Sequence, residues 1–251
     1  QYFVGTFDGT TFVPTEPADP PLWIDHGADF YCATTYDDLR SPTGERAWIG
    51  WMNDWRYATR LPTFPWRGAM VEPRWIALTR TAEGLRLRQR PHEAIASLRG
   101  PATSFTGTEP ARLNDELAAA PLDVESFELR ARGPADVPWA LELVGARDAS
   151  RVRVAYVPER SVVEVSREAA PGVEVPPEFP ATHEAPIRQA GDRVELGVLV
   201  DRDSVEVFAD GGTSVITDLH FIEPVLLRVD APEDLAGRPL ELDHWPLASA
   251  R

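Results

Sequence analysis

The chain has 251 residues, of which 43% are hydrophobic and 26% charged, a globular composition with room for one large or two ordinary domains. Its net charge of −15 repels phosphate backbones and anionic lipid, which argues against nucleic acid and membrane surfaces as partners. All 25 basic residues are arginine, so Schiff-base chemistry on lysine is excluded, and the one cysteine, Cys32, excludes an intrachain disulfide and a cysteine-bound zinc cluster.

The 24 prolines and 17 glycines punctuate short apolar runs, a pattern of strands rather than helices. The chain opens on "QYFVGTF", strand-like from its first residue, so further chain is expected upstream of Gln1. Asp8-Gly9 separates "YFVGTF" from "TTFVP" and predicts a hairpin. "DFYCATTY", "RAWIGWM", "RWIALTR" and "GLRLRQR" follow as strands every ten to fifteen residues, the rhythm of antiparallel blades or a sandwich. Cys32, inside the first of these, reads as a small buried side chain. "HEAIASLR" has helical spacing and is closed by Gly100-Pro101; residues 91–103 are expected to form a linker with a short helix.

From residue 104 to 251 a second β-rich region is expected. "SFELRAR", "WALELVG" and "RVRVAYV" alternate, and Val194, Leu196, Val198 and Val200 form the cleanest period-2 run in the chain. Asp201-Arg202-Asp203 predicts a turn with "SVEVFADGG" returning beside that run. These elements suit two antiparallel sheets packed face to face. "PGVEVPPEFP" is a proline-rich loop.

Histidines 26, 92, 183, 220 and 244 lack the spacing of metal-ligand pairs and read as loop and surface residues; no metal or organic cofactor is expected. Nucleotide-phosphate loops, dinucleotide fingerprints and nucleophile elbows are absent from the sequence. What remains is a concentration of Trp, Asp and Arg between Trp23 and Arg74. Aromatic faces stack on the C–H face of a sugar ring, and carboxylates accept hydrogen bonds from hydroxyls. Trp48, Trp51 and Trp75 alternate with apolar neighbours and read as core, whereas Trp55 and Trp66 sit beside polar or proline-containing sequence and suit a cleft or surface.

Several stretches then become specific together. "QYFVGTFDGTTF", "WIDHGADFYCATTYDD", "WIGWMNDWRYATRLPTFPWRGAMVEPR", "LRLRQRP" and "LGVLVDRDSVEVFADGGTSVITDLHF" resemble, in order and spacing, the C-terminal half of glycoside hydrolase family 32, the invertases, inulinases, levanases and related fructosyltransferases. The resemblance implies an all-β fold: the end of blade four and all of blade five of a five-bladed β-propeller in residues 1–90, then a β-sandwich. It implies a retaining glycosidase acting on β-fructosyl linkages of a fructan such as inulin or levan, or of sucrose. Its nucleophilic Asp and acid/base Glu stand about 5–5.5 Å apart.

The family's three catalytic motifs (Trp-Met-Asn-Asp-Pro-Asn-Gly, Arg-Asp-Pro and Glu-Cys) all precede the "YFVG" strand, and none occurs here. Asp54 follows Trp-Met-Asn but leads into Trp55-Arg56, so it imitates the nucleophile without its context. No catalytic residue is therefore expected in this chain, which alone should be inactive; its partners would be the missing N-terminal half of the propeller and a fructose-containing oligo- or polysaccharide. Two sugar-binding positions carry over from the family: Trp55, which walls the fructosyl pocket, and Asp25. In some members a Lys stands three residues after the latter; here it is Ala28, which shifts the expectation from sucrose towards fructan. Asp25 also suits a plain turn before Gly27. Polymer-degrading members are usually secreted, which favours that location. The rival reading is a non-catalytic, lectin-like fructan-binding protein; a fructosyltransferase shares the same first contacts.

Overall fold

The computed structural model describes the whole chain except residues 17, 18, 147–149, 189, 190, 234, 236, 250 and 251. Among the described residues the fold is all-β apart from short helices.

Strands Gly5–Phe7 and Phe12–Pro14 pair as the expected hairpin. The Asp8 carboxylate closes the loop by accepting from the backbone N–H groups of Thr10 and Thr11, each at 2.8 Å. Next comes a five-stranded antiparallel sheet. Its main path runs Tyr31–Arg40, Arg46–Met52, Arg74–Thr81, Gly84–Pro91, and Ala69–Met70 pairs with Arg46–Met52. Strand Tyr31–Arg40 lies at its edge and is exposed along nearly its whole length. That corrects the reading of Cys32: both faces of this strand meet solvent, and the thiol is exposed and free.

Residues beyond 100 form the sandwich. One sheet has the order Ser214–Leu219, Ser204–Ala209, Arg193–Asp201, Phe127–Pro134, Leu240–Pro246, Thr103–Gly107. The other has the order Ala181–Pro186, Val162–Arg167, Arg151–Val157, Trp139–Gly145, Pro224–Asp230. Val194, Leu196, Val198 and Val200 all point into one core with Leu129, Leu141, Val154, Val165 and Val207. Truncating such a residue, Leu196→Ala for example, costs about 2–5 kcal/mol. Asp201 and Ser204 pair across a two-residue turn, as the sequence predicts.

The helix Pro110–Ala119 departs from the all-strand expectation for this region. Proline suits a first helical position because its missing N–H has no partner there. Leu113 and Leu117, four apart, bury one face, while Asn114 exchanges two hydrogen bonds with the backbone of Val229 (2.8 and 2.9 Å). The predicted linker helix is a single turn, Glu93–Ala96, capped by His92 Nδ1 accepting from the Ala94 N–H.

The two regions share a core: Met52, Tyr57, Leu61 and Val71 pack with Phe179 and Leu219 of the sandwich. The loop through His26 and Asp29 runs along the sandwich edge strand Ser214–Leu219, with His26 N donating to Val215 O and Asp29 N to Thr217 O. Gly27 permits that approach, since a Cβ there would meet Thr217 O at 2.1 Å. His220 and His244 are buried rather than on the surface. The first lies where the chain leaves that edge strand, and the second is stacked on Phe127 inside the sandwich.

Candidate functional site

Strand Arg46–Met52 carries Trp48, Trp51 and Met52 in succession, and alternation sends Trp48 and Met52 inward. Trp51 is only half-buried, which corrects its assignment to the core. Its indole N–H donates to Arg67 O at 3.2 Å, fixing the ring against the 61–68 loop. The chain then leaves the sheet in a tight turn: Tyr57 N and Ala58 N both donate to Asp54 O. That turn sets Trp55 on the surface with 66% of it exposed.

The Trp55 ring packs on Trp51 at 5.0 Å between centroids, tilted by 51°. Tyr31, from the edge strand, stands edge-on to both, at 6.3 Å from Trp51 and 6.4 Å from Trp55. Three aromatic rings from two strands and a loop thus form one exposed wall, and Met70, opposite Trp51 in the sheet, is exposed as well. Tyr31 was not singled out by sequence reasoning; its register opposite Trp51 is the signal that finds it, and that needs the strand pairing.

Asp54, beside this wall, is held in an ion pair. It accepts from Arg56 backbone N (2.7 Å), Nε (2.9 Å) and Nη2 (2.7 Å). Partial burial pushes its carboxyl up, but the hydrogen bonds from Arg56 outweigh this and hold it below the ordinary aspartate value. Both carboxylate oxygens are thus engaged by Arg56, and the turn holds the pair together.

The Asp25 side chain is 2% exposed and lies at the junction of the two regions. Oδ1 accepts from Gly27 N (2.9 Å) and Thr217 N (2.8 Å); Oδ2 accepts from Arg74 Nη1 (3.1 Å) and Thr217 Oγ1 (2.6 Å). The turn before Gly27 is therefore formed. Arg74, fully buried, also donates to Glu206 Oε2 and Gln89 Oε1.

A second buried network flanks it. Arg167 pairs with Asp29, donates to Tyr57 Oη at 2.7 Å and to Phe179 O at 2.9 Å, and its guanidinium lies 4.0 Å above the Phe179 ring. Tyr57 Oη in turn donates to Asp29 Oδ1 at 2.7 Å. Buried charges of this kind are tolerated only when paired and hydrogen-bonded. Among the described residues, no group of three or more His, Cys, Asp or Glu is placed to hold a metal ion.

Comparison with known proteins gives the family. The model of the glycosyl hydrolases family 32 N-terminal domain matches residues 1–91, and that of the family 32 C terminal matches residues 94–230. A levanase of Bacillus subtilis (strain 168) is 34% identical over 223 residues, 87% of this chain and 33% of the levanase. An extracellular exo-inulinase of Aspergillus awamori is 31% identical over 229 residues, 86% of this chain and 42% of that protein. The crystal structure of exo-inulinase from Aspergillus awamori superposes with a TM-score of 0.80 at 29% identity, covering 99% of this chain and 50% of that one. The chain spans less than half the length of these curated relatives.

Proposed function

Because the chain belongs to glycosyl hydrolases family 32, we propose that it is the C-terminal part of a retaining glycoside hydrolase acting on β-fructosyl linkages, in a fructan such as inulin or levan or in sucrose. The observation that carries this reading is the exposed Trp55 ring, braced by Trp51 at the rim of an antiparallel sheet. Trp55 stacks on the C–H face of the terminal fructosyl unit and holds its anomeric carbon in one place. The sheet is assigned as the fifth blade of a propeller. The nucleophile and acid/base carboxylates belong to upstream chain, which packs against the exposed edge strand Tyr31–Arg40. An unpaired edge with exposed Tyr36 and Leu39 is a surface that a folded protein normally covers. Asp25 contributes by ordering the loop that leads to Tyr31, since its oxygens already accept four hydrogen bonds.

Calorimetric titration of the 251-residue chain with inulin and levan oligosaccharides, with fructose release followed in parallel, tests this reading. Binding is expected without fructose release, and Trp55→Ala should abolish it. Fructose release by this chain alone overturns the upstream placement of the carboxylates, and lack of binding overturns the sugar site. If a version extended upstream binds but releases no fructose, the lectin-like alternative holds; transfer to a second sugar in place of water identifies a fructosyltransferase.

A further inference from the structure

We propose that Tyr31 is a second sugar-contacting residue: with Trp55 it forms a right-angled corner that takes one furanose ring, apolar face on the indole and edge hydroxyl on the phenol oxygen. The proposal rests on the reading of Trp55 given above and deepens it.

Three observations carry it. First, the geometry is a floor and a wall. The Tyr31 and Trp55 rings meet at 86° with centroids 6.4 Å apart, and both are half or more exposed. Trp51, pinned to Arg67 O, backs both rings, so the corner is assembled before any ligand arrives. Preassembly spares a ligand the ordering of side chains.

Second, the backbone departs from a regular strand at this point. The register with the neighbouring strand breaks between Tyr31 and Thr34, and Cys32, between them, has φ of 54°. A non-glycine residue in the left-handed region is strained and persists where its surroundings over-determine it. Bulges of this kind re-aim a side chain and occur beside binding sites.

Third, Tyr31 is open to solvent. Tyr57, in the turn after Trp55, spends its hydroxyl on Asp29 and Arg167 in the interior. Tyr31 is 50% exposed, beside an indole face. A phenol both donates and accepts, which matches a sugar hydroxyl.

The test measures dissociation constants of 1-kestose for the 251-residue chain and for Tyr31→Phe, Tyr31→Ala and Trp55→Ala, by calorimetry or saturation-transfer NMR. Tyr31→Phe keeps the ring and loses only the hydroxyl; it is expected to weaken binding about fivefold, and Tyr31→Ala more. Thermal unfolding of Tyr31→Phe should match the parent, because the ring and its contacts with Trp51 and Trp55 are kept. If both Tyr31 variants bind as the parent does while Trp55→Ala loses binding, the corner is overturned and the Trp55 site survives. If the parent does not bind, or Trp55→Ala binds unchanged, both fall. Should Tyr31→Ala fail to fold, the isosteric Tyr31→Phe decides alone.

Discussion

Arg167, on a sandwich strand, donates to the phenol oxygen of Tyr57, in the turn after Trp55, at 2.7 Å. The same guanidinium pairs with Asp29 and lies 3.7 Å from Asp218. This one side chain therefore joins the sandwich to the turn and loop that carry the aromatic wall. The pairing also keeps the Arg167 charge: burial disfavours it, but Asp218 and Asp29 more than compensate and hold its pKa above the ordinary arginine value.

Arg167→Met should cost about 3–5 kcal/mol of stability, since Asp29 and Asp218 would remain buried without their counter-charge. Urea unfolding checks the size. The double variant Arg167→Met with Asp29→Leu should recover part of the loss, because an apolar pair leaves less charge uncompensated. A single variant as stable as the parent would mean that the network does not join the two regions.

Asp54→Asn separates the look-alike from a nucleophile. In a version extended upstream, fructose release should stay within about tenfold of the parent, whereas removing a true nucleophile costs on the order of 10⁴ or more. Asp54 contributes through Arg56 and the turn, so the expected signature is a modest change in KM rather than a collapse of kcat.

Cys32 offers a backbone test of the wall. Glycine adopts positive φ without strain, so Cys32→Gly should leave stability equal to or up to about 1 kcal/mol above the parent, depending on how far relief of strain exceeds the entropy lost by a freer unfolded chain. Cys32→Val places a β-branched side chain where φ is 54° and should destabilise the strand by about 1–3 kcal/mol. Thermal unfolding gives the stabilities. Tryptophan fluorescence reports whether the packing around Trp51 and Trp55 follows, and an unchanged Cys32→Val would remove the argument from strain.

How much of this was legible beforehand follows from the range of each interaction. Strands such as 193–201 were, because alternation is local and Val194 to Val200 all face one core. The exposure of Trp55 was too, because its neighbours are polar and turn-forming. The helix Pro110–Ala119 was not, since its only apolar signal is Leu113 and Leu117 beside a proline. The junction networks were not either: Asp29 and Arg167 stand 138 positions apart, and Asp25 meets Thr217 across 192. Nothing in "IDHGADFY" distinguishes an acid that binds sugar from one that binds a buried arginine. Tyr31 depended on the irregular register at Cys32, which hydrophobic pattern does not encode.

The junction also predicts how stability depends on pH. Burial pushes the Glu72 carboxyl up, and the nearby charges of Glu206 and Asp201 add to this against the opposing pull of Arg74, bringing it to about 7 from an ordinary 4.5. Glu72 binds its proton more tightly folded than unfolded, so its contribution is fully present below pH 4.5 and is lost as pH rises towards 7. Glu72→Gln mimics the protonated acid. It should flatten this part of the stability profile and raise stability at pH 8 by about 2–3 kcal/mol, with little effect at pH 4. Thermal or urea unfolding at pH 4, 6 and 8 for parent and variant reads the effect directly. A constant difference between the two across that range would show that Glu72 ionises alike in folded and unfolded chains.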